Sequence, residues 1–91
     1  MKKKSAKLQV IITPNYWMGV RSIREGYKAL FVYNQKEYSF MTDDNSLSEI
    51  SERIRKYQSE KRIKKSMLDI VFEDMSESEI KEARYKLRFF F

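Results

Sequence analysis

Residues 27–41, YKALFVYNQKEYSFM, decide the fold class of this chain. In residues 27–33 the side chains alternate between two sides, and in residues 37–41 a second short strand pattern follows. Asn34-Gln35-Lys36 between them is a polar turn, although it lacks the glycine of the strongest hairpin signals. The stretch therefore predicts an antiparallel hairpin. Leu30 and Val32 on its outer side indicate either a central strand or one covered from both sides.

Two further segments have strand character. Residues 8–13 are rich in Val and Ile, and Pro14-Asn15 is expected to end that strand. Residues 67–72, MLDIVF, place alternate apolar side chains on one face. For residues 16–26 the pattern allows two structures, a short strand or an irregular segment with one helical turn. A turn is expected at Glu25-Gly26.

Two capping boxes predict two helices, because a Ser hydroxyl and a Glu carboxylate three residues later satisfy each other's backbone amides. Ser46 with Glu49 opens the first helix, which is expected to end between residues 58 and 65. Ser76 with Glu79 opens the second, expected to continue to about Arg88. The apolar positions at helical spacing are Leu47, Ile50, Ile54 and Tyr57 in the first helix and Ile80, Ala83, Leu87 and Phe90 in the second.

A terminal strand over residues 85–91 is the alternative to the end of the second helix. The favoured order of elements is β–(β)–β–β–α–β–α. This order predicts an α+β domain over residues 8–91, with a mostly antiparallel sheet of three to five strands and two helices on one face. Residues 1–7 are expected to form a basic, flexible arm.

Composition excludes several classes of protein. The 91 residues contain no Cys and no His, which removes disulfide scaffolds, zinc fingers, thiol nucleophiles and histidine bases. Asp69, Glu79 and Lys81 have the order and spacing of the Asp…Glu-x-Lys motif of metal-dependent nucleases. That motif needs its Glu and Lys on a strand beside the Asp, whereas Glu79 is expected in a capped helix. The acidic pairs at residues 43–44 and 73–74 precede helix starts, where carboxylates are favourable. We therefore expect no enzyme activity, no metal and no cofactor.

The net charge of +6 is concentrated near the N-terminus, where residues 1–30 hold seven basic side chains and one acidic side chain. Aromatic side chains interleave with these cations, which suits phosphate contact and base stacking. The predicted binding residues, for nucleic acid or another partner, are Lys2, Lys3, Lys4, Tyr16, Trp17, Arg21, Arg24 and Lys28. The alternative is a solvated lysine tail and a Trp17 that belongs to the core. Arg84, Lys86 and Arg88 form a second, C-terminal cluster.

Phe89, Phe90 and Phe91 at the C-terminus are either core residues or an interface, including that of a homodimer. The opening residues lack the long apolar region and cleavage site of a secretory signal, and no window has the ~18 apolar residues of a membrane span. We therefore expect a cytoplasmic protein without a membrane partner.

The amino-acid usage favours residues with AT-rich codons, with 40 of Phe, Tyr, Met, Ile, Asn and Lys against 13 of Gly, Ala, Arg and Pro. An AT-rich bacterium, phage or mobile element fits this usage. The favoured function is a non-catalytic basic module that binds and modulates or inhibits a host nucleic-acid enzyme or nucleoprotein complex, in an anti-CRISPR-like or similar role. The alternatives are direct DNA or RNA binding, and an oligomeric assembly protein using the C-terminal Phe residues.

Overall fold

The computed structural model describes residues 7–43 and 47–91, so Lys2, Lys3, Lys4 and the predicted cap Ser46 lie outside the described residues. This part of the chain forms four strands, two helices and three short 3-10 turns. In chain order the main elements are β1 (Leu8–Tyr16), β2 (Arg24–Tyr33), β3 (Lys36–Met41), α1 (Ser48–Lys61), β4 (Leu68–Phe72) and α2 (Glu77–Lys86).

The strands form one sheet in the order β3-β2-β1-β4. β1 pairs antiparallel with β2, β2 pairs antiparallel with β3, and β4 pairs parallel with β1. α1 lies in the connection from β3 at one edge to β4 at the opposite edge, as a parallel crossover requires. The predicted α+β class, with a mostly antiparallel sheet and two helices, is confirmed.

The alternation of β2 determines which face of the sheet is covered. Tyr27, Ala29 and Phe31 are buried, and Phe31 lies opposite Val10 of β1. Side chains of both helices join these strands in a single core. The buried apolar residues are Leu8, Val10, Ile12, Tyr27, Ala29, Phe31, Leu47, Ile50, Ile54, Ile63, Ala83, Leu87 and Phe90.

The opposite face of the sheet carries its own row of apolar side chains. Ile11 of β1 lies between Leu30 of β2 and Val71 of β4 in the strand register. These three residues are partly exposed, because the apolar faces of both helices pack on the other side. Leu30 and Val32 are therefore explained by the central position of β2 in the sheet. The alternative, a strand covered by other elements on both faces, is wrong.

The prediction that Pro14-Asn15 ends β1 is wrong, since the strand continues to Tyr16. The carbonyl of Ile12 accepts a hydrogen bond from Glu73 at 3.0 Å, so the backbone groups of even-numbered β1 residues face β4. β4 ends at Phe72, so no strand lies beside Pro14 on that side of β1. The missing N–H of the proline therefore leaves no hydrogen bond of the sheet unmade. A proline is tolerated at such an edge.

The segment that sequence left open contains one helical turn, Trp17–Gly19, and not a strand of its own. The turn expected at Glu25-Gly26 is wrong, because both residues belong to β2 and Gly26 lies opposite Asn15. The hairpin between β2 and β3 is confirmed. Its loop is shortened to Asn34 and Gln35, which both adopt left-handed backbone angles, while Lys36 already pairs with Tyr33.

α1 follows the predicted stripe and buries Ile50 and Ile54. It ends with Arg62 in the left-handed conformation, inside the predicted window. α2 ends at Lys86, and a 3-10 turn over Arg88–Phe90 continues it, so the alternative of a terminal strand is wrong. No helix among the described residues is both long and apolar enough to cross a membrane.

The second capping box is confirmed in both halves. The Ser76 hydroxyl accepts from the Glu79 amide at 3.3 Å, and the Ser76 amide donates to Glu79 Oε1 at 3.0 Å. Ser76→Ala is expected to lower the free energy of unfolding by about 1 kcal/mol, because it leaves a helix amide without its acceptor. Urea unfolding measures this loss. Ser59→Ala, at an exposed position inside α1, is the matched control and should be neutral or slightly stabilising. Equal effects of the two substitutions would contradict a stabilising cap.

Candidate functional site

The connection between β1 and β2 is a compact loop of residues 17–23. Its backbone is tied together by three hydrogen bonds, from Trp17 to the Ile23 carbonyl at 2.9 Å, from Val20 to the Trp17 carbonyl at 2.8 Å, and from Ile23 to the Val20 carbonyl at 3.1 Å. Met18 and Gly19 both have positive φ, and the left-handed angle suits the glycine. The loop therefore has a defined conformation without support from the core.

Four side chains of this loop are apolar and exposed. Trp17 is 45% exposed, Met18 82%, Val20 40% and Ile23 49%. The alternative that Trp17 belongs to the core is therefore wrong. A cluster of exposed apolar side chains at one place on a surface is typical of an interaction site. We call these four residues, together with Arg21, the hairpin tip.

Arg21 of the hairpin tip and Arg24 of β2 pair with acidic residues in the loop before α2 and in its first turn. Arg21 lies 3.2 Å from Asp74 and packs over the Tyr16 ring at 5.4 Å, with both members of the ion pair well exposed. Arg24 pairs with Glu79 and donates to the Tyr27 hydroxyl at 2.9 Å. The Glu79 carboxylate thus binds both the Arg24 guanidinium and the Ser76 amide that caps α2. About a quarter of the Arg24 side chain and of the Glu79 side chain is exposed. Arg24 holds the hairpin against α2, while Arg21 remains accessible at the surface.

The structure brings together only part of the predicted binding set. Tyr16, Trp17 and Arg21 lie at the end of β1, whereas Lys28 is exposed on the open face of β2, opposite Met41. Residues 1–7, the predicted basic arm, precede Leu8 in sequence, at the opposite end of β1 from Tyr16. β1 spans roughly 26 Å from Leu8 to Tyr16 at the usual rise per residue. Lys2, Lys3 and Lys4 lie outside the described residues. That all the predicted binding residues form one site therefore stays a prediction.

Sequence reasoning missed the apolar part of the hairpin tip. Met18 and Val20 fitted a short strand as well as a loop, so their exposure could not be assigned from spacing. The sequence does contain one indication of an exposed apolar loop. Four of the seven residues 17–23 are apolar, and their spacing fits neither the period of two of a strand nor the period of 3.6 of a helix.

The C-terminal Phe residues divide between core and surface. Phe90 is 7% exposed and belongs to the core, while Phe89 is 66% and Phe91 40% exposed. Phe91 still lies 6.4 Å from Phe72, between ring centres. Phe90 therefore belongs to the core, and an interface role for the exposed Phe89 and Phe91 stays a prediction.

An open groove of about 680 Å³ runs between α1 and β3. Arg53 lies within it, 4.5 Å from the Phe40 ring centre and 3.4 Å from Glu49, and it also donates to the Tyr38 hydroxyl. Both acidic and basic side chains lie along the α1 side of the groove. Its lining residues are Phe31, Tyr38, Glu49, Glu52, Arg53, Lys56, Tyr57, Glu60 and Lys61.

The nuclease-like residues do not meet. Asp69 lies on the open face of β4, while Glu79 lies in α2 on the covered side and is used by Ser76 and Arg24. Among residues 7–43 and 47–91, no group of three or more carboxylates is placed to hold a metal ion.

Comparison with known proteins adds no assignment to this geometry: no family model, no curated protein and no solved structure matches the chain.

Proposed function

We propose that this chain is a non-catalytic, cytoplasmic binding module that docks onto a protein through its hairpin tip. The observation that carries the proposal is the exposure of Trp17, Met18, Val20 and Ile23 in one short loop. Trp and Met are enriched in protein interfaces, and arginine, the residue type of Arg21 beside them, is enriched there as well.

The conformation of the loop supports this role. Its three internal backbone hydrogen bonds hold the tip in one shape before a partner arrives. A preorganised loop loses less conformational entropy on binding, so more of the contact energy appears as affinity. The exposed apolar residues would then be buried in the complex.

The chemistry of the tip favours a protein over bare nucleic acid at this position. Phosphate contact depends on cations, whereas four of the five tip residues are apolar, and Arg21 is paired with Asp74. The net charge of +6 favours a partner that works on nucleic acid. The phosphates of the nucleic acid bound to such a partner would lie near its surface and attract a basic protein. We place the protein, on its composition, among accessory proteins of phages or mobile elements that modulate or inhibit a host nucleic-acid enzyme or nucleoprotein complex.

Photo-crosslinking tests the docking surface directly. A photoreactive amino acid replaces Met18, which is 82% exposed, and in a control replaces Lys36 in the exposed hairpin at the β2–β3 turn. In extract of an AT-rich bacterial host, we expect a defined crosslinked protein from position 18 and none of the same mass from position 36. Equal crosslinking from both positions would overturn the proposal.

The purified partner then allows a quantitative test. Trp17→Ser with Ile23→Ser is expected to weaken binding by at least about tenfold, since central interface residues commonly contribute 2 kcal/mol or more. Met41→Ser, a change at an apolar residue that is 61% exposed on β3, is the matched control and should leave binding unchanged. Unchanged binding by the Trp17/Ile23 variant would exclude the tip.

Two other roles for the hairpin tip would give different results. A solution mass above 11.1 kDa that falls when Trp17 and Ile23 are replaced would indicate self-association through the tip. Tight binding of bare DNA or RNA that is lost on replacing Trp17 and Arg21 would indicate a nucleic-acid site at the tip. Either outcome would overturn docking of a protein partner there.

A further inference from the structure

The second half of α2 presents a basic face to the surface. Lys81, Arg84 and Arg88 are spaced three and four residues apart, so they lie along one side of α2 and its 3-10 continuation, and all three are exposed. Within the described residues, none of them has a carboxylate within 4 Å. Glu82, the nearest acidic residue in sequence, is held by Lys86 at 3.6 Å.

Three aromatic rings are exposed beside these cations. Tyr85 is 67% exposed, Phe89 66% and Phe91 40%. Rings of this size usually enter a core or an interface, so their position at the surface marks a binding region. We call Lys81, Arg84, Tyr85, Arg88, Phe89 and Phe91 the basic–aromatic surface.

The arginines are packed against these rings. The Arg88 guanidinium lies 4.4 Å from the Tyr85 ring centre and 4.8 Å from that of Phe89. Arg84 lies 4.5 Å from the ring centre of Phe91. Arg88 also donates to the Tyr85 carbonyl at 2.9 Å, which fixes its position. These contacts hold the cations in place while most of their five N–H donors remain available for a ligand.

We propose that the basic–aromatic surface binds single-stranded nucleic acid. Bases stack on the exposed faces of Tyr85 and Phe89, and Arg84, Arg88 and Lys81 contact the phosphates. Aromatic rings beside a line of cations are the combination that single strands require, because every base has a π face and every nucleotide a negative charge. A duplex keeps its bases stacked inside and would leave the rings unused. This inference goes beyond the hairpin tip and uses none of its residues.

Fluorescence anisotropy of labelled 12-nucleotide (dT)12 and (rU)12, across a salt series, tests the proposal. We expect micromolar binding at low salt, with weaker binding to a duplex of the same length. Tyr85→Ala with Phe89→Ala should weaken binding to the single strand by at least about fivefold without changing the salt slope, since it removes stacking and no charge. Arg84→Gln with Arg88→Gln should reduce the slope of log K against log salt by about 1.4, for two lost phosphate contacts.

Matched variants separate this surface from general charge and from the hairpin tip. Lys36→Gln with Lys64→Gln removes two exposed cations from other parts of the protein, and its salt slope should stay close to that of the unaltered protein. Trp17→Ala removes an exposed ring of the hairpin tip and should leave the affinity unchanged. If either control weakens binding as much as the test variants, the basic–aromatic surface is not the site. Circular dichroism checks that each variant is folded.

Three further results would overturn the proposal. The first is no binding of either oligonucleotide at 50 mM salt. The second is binding to anionic vesicles, lost in the Tyr85/Phe89 variant, without binding to nucleic acid. The third is self-association lost in the same variant, seen as a solution mass above 11.1 kDa. None of these results depends on whether the hairpin tip docks a protein.

Discussion

Replacing Phe31 with alanine is expected to lower the free energy of unfolding by about 3–5 kcal/mol. Phe31 lies in the middle of β2, is 1% exposed, and packs against the ring of Tyr57 with 5.4 Å between ring centres. Its ring also contacts those of Phe40 and Tyr38 from β3. The substitution therefore loses the transfer free energy of the side chain and leaves a cavity where α1 meets the sheet.

A loss of this size is a large fraction of the ~5–15 kcal/mol that stabilises a typical domain. Equilibrium unfolding in urea, followed by circular dichroism, measures it. Phe31→Leu keeps most of the volume and should lose less, which gives a measurable value if the alanine variant does not fold.

Leu30→Ala is the matched control for Phe31→Ala, since it lies in the same strand on the open face. Leu30 is partly exposed and its truncation should cost clearly less. Equal losses at positions 30 and 31 would mean that both faces of the sheet are covered in solution, which contradicts the one-sided core.

The second large effect is expected at the C-terminus, where Phe90 and Phe89 should behave differently. Phe90 is 7% exposed and belongs to the core, so Phe90→Ala is expected to lower the free energy of unfolding by about 3 kcal/mol. Phe89 is 66% exposed, and Phe89→Ala should change it by no more than about 0.5 kcal/mol.

The two substitutions delete the same atoms from neighbouring positions, so their difference depends on the environment alone. Thermal unfolding of both variants, in the same buffer, measures it. A comparable loss in Phe89→Ala would show that its ring is buried in solution, as in a self-associated form. A negligible loss in Phe90→Ala would contradict docking of the C-terminal turn onto the core.

Local sequence patterns predicted most of the secondary structure because the responsible interactions span a few residues. The alternation in residues 27–33 identified the buried side of β2, and Ser76 with Glu79 identified the start of α2. Pro14 misled the prediction of β1 because its effect depends on whether a neighbouring strand needs its N–H. That neighbour, β4, lies more than fifty residues further along the chain.

The candidate sites were harder to predict for the same reason. Arg24 looked like a free cation in sequence, but Glu79 of α2 engages it in the fold. Glu49 with Arg53 and Glu82 with Lys86, by contrast, are paired within their own helices, at the spacing of four residues that favours such pairs.

Sequence by itself determined the α+β class, the hairpin of β2 and β3, the core stripe of α1, most of that of α2 (Ile80 is partly exposed and lies outside the core) and the basic charge of this protein. These properties follow from periods of two and 3.6, from caps and from composition, which are local or additive. Tertiary structure alone decided that Trp17 and Phe89 are exposed, that Phe90 is buried, and that Arg24 is paired while Arg84 and Arg88 lie against aromatic rings. Exposure and pairing depend on which distant segments pack together, and that information is contained in no single stretch of the chain.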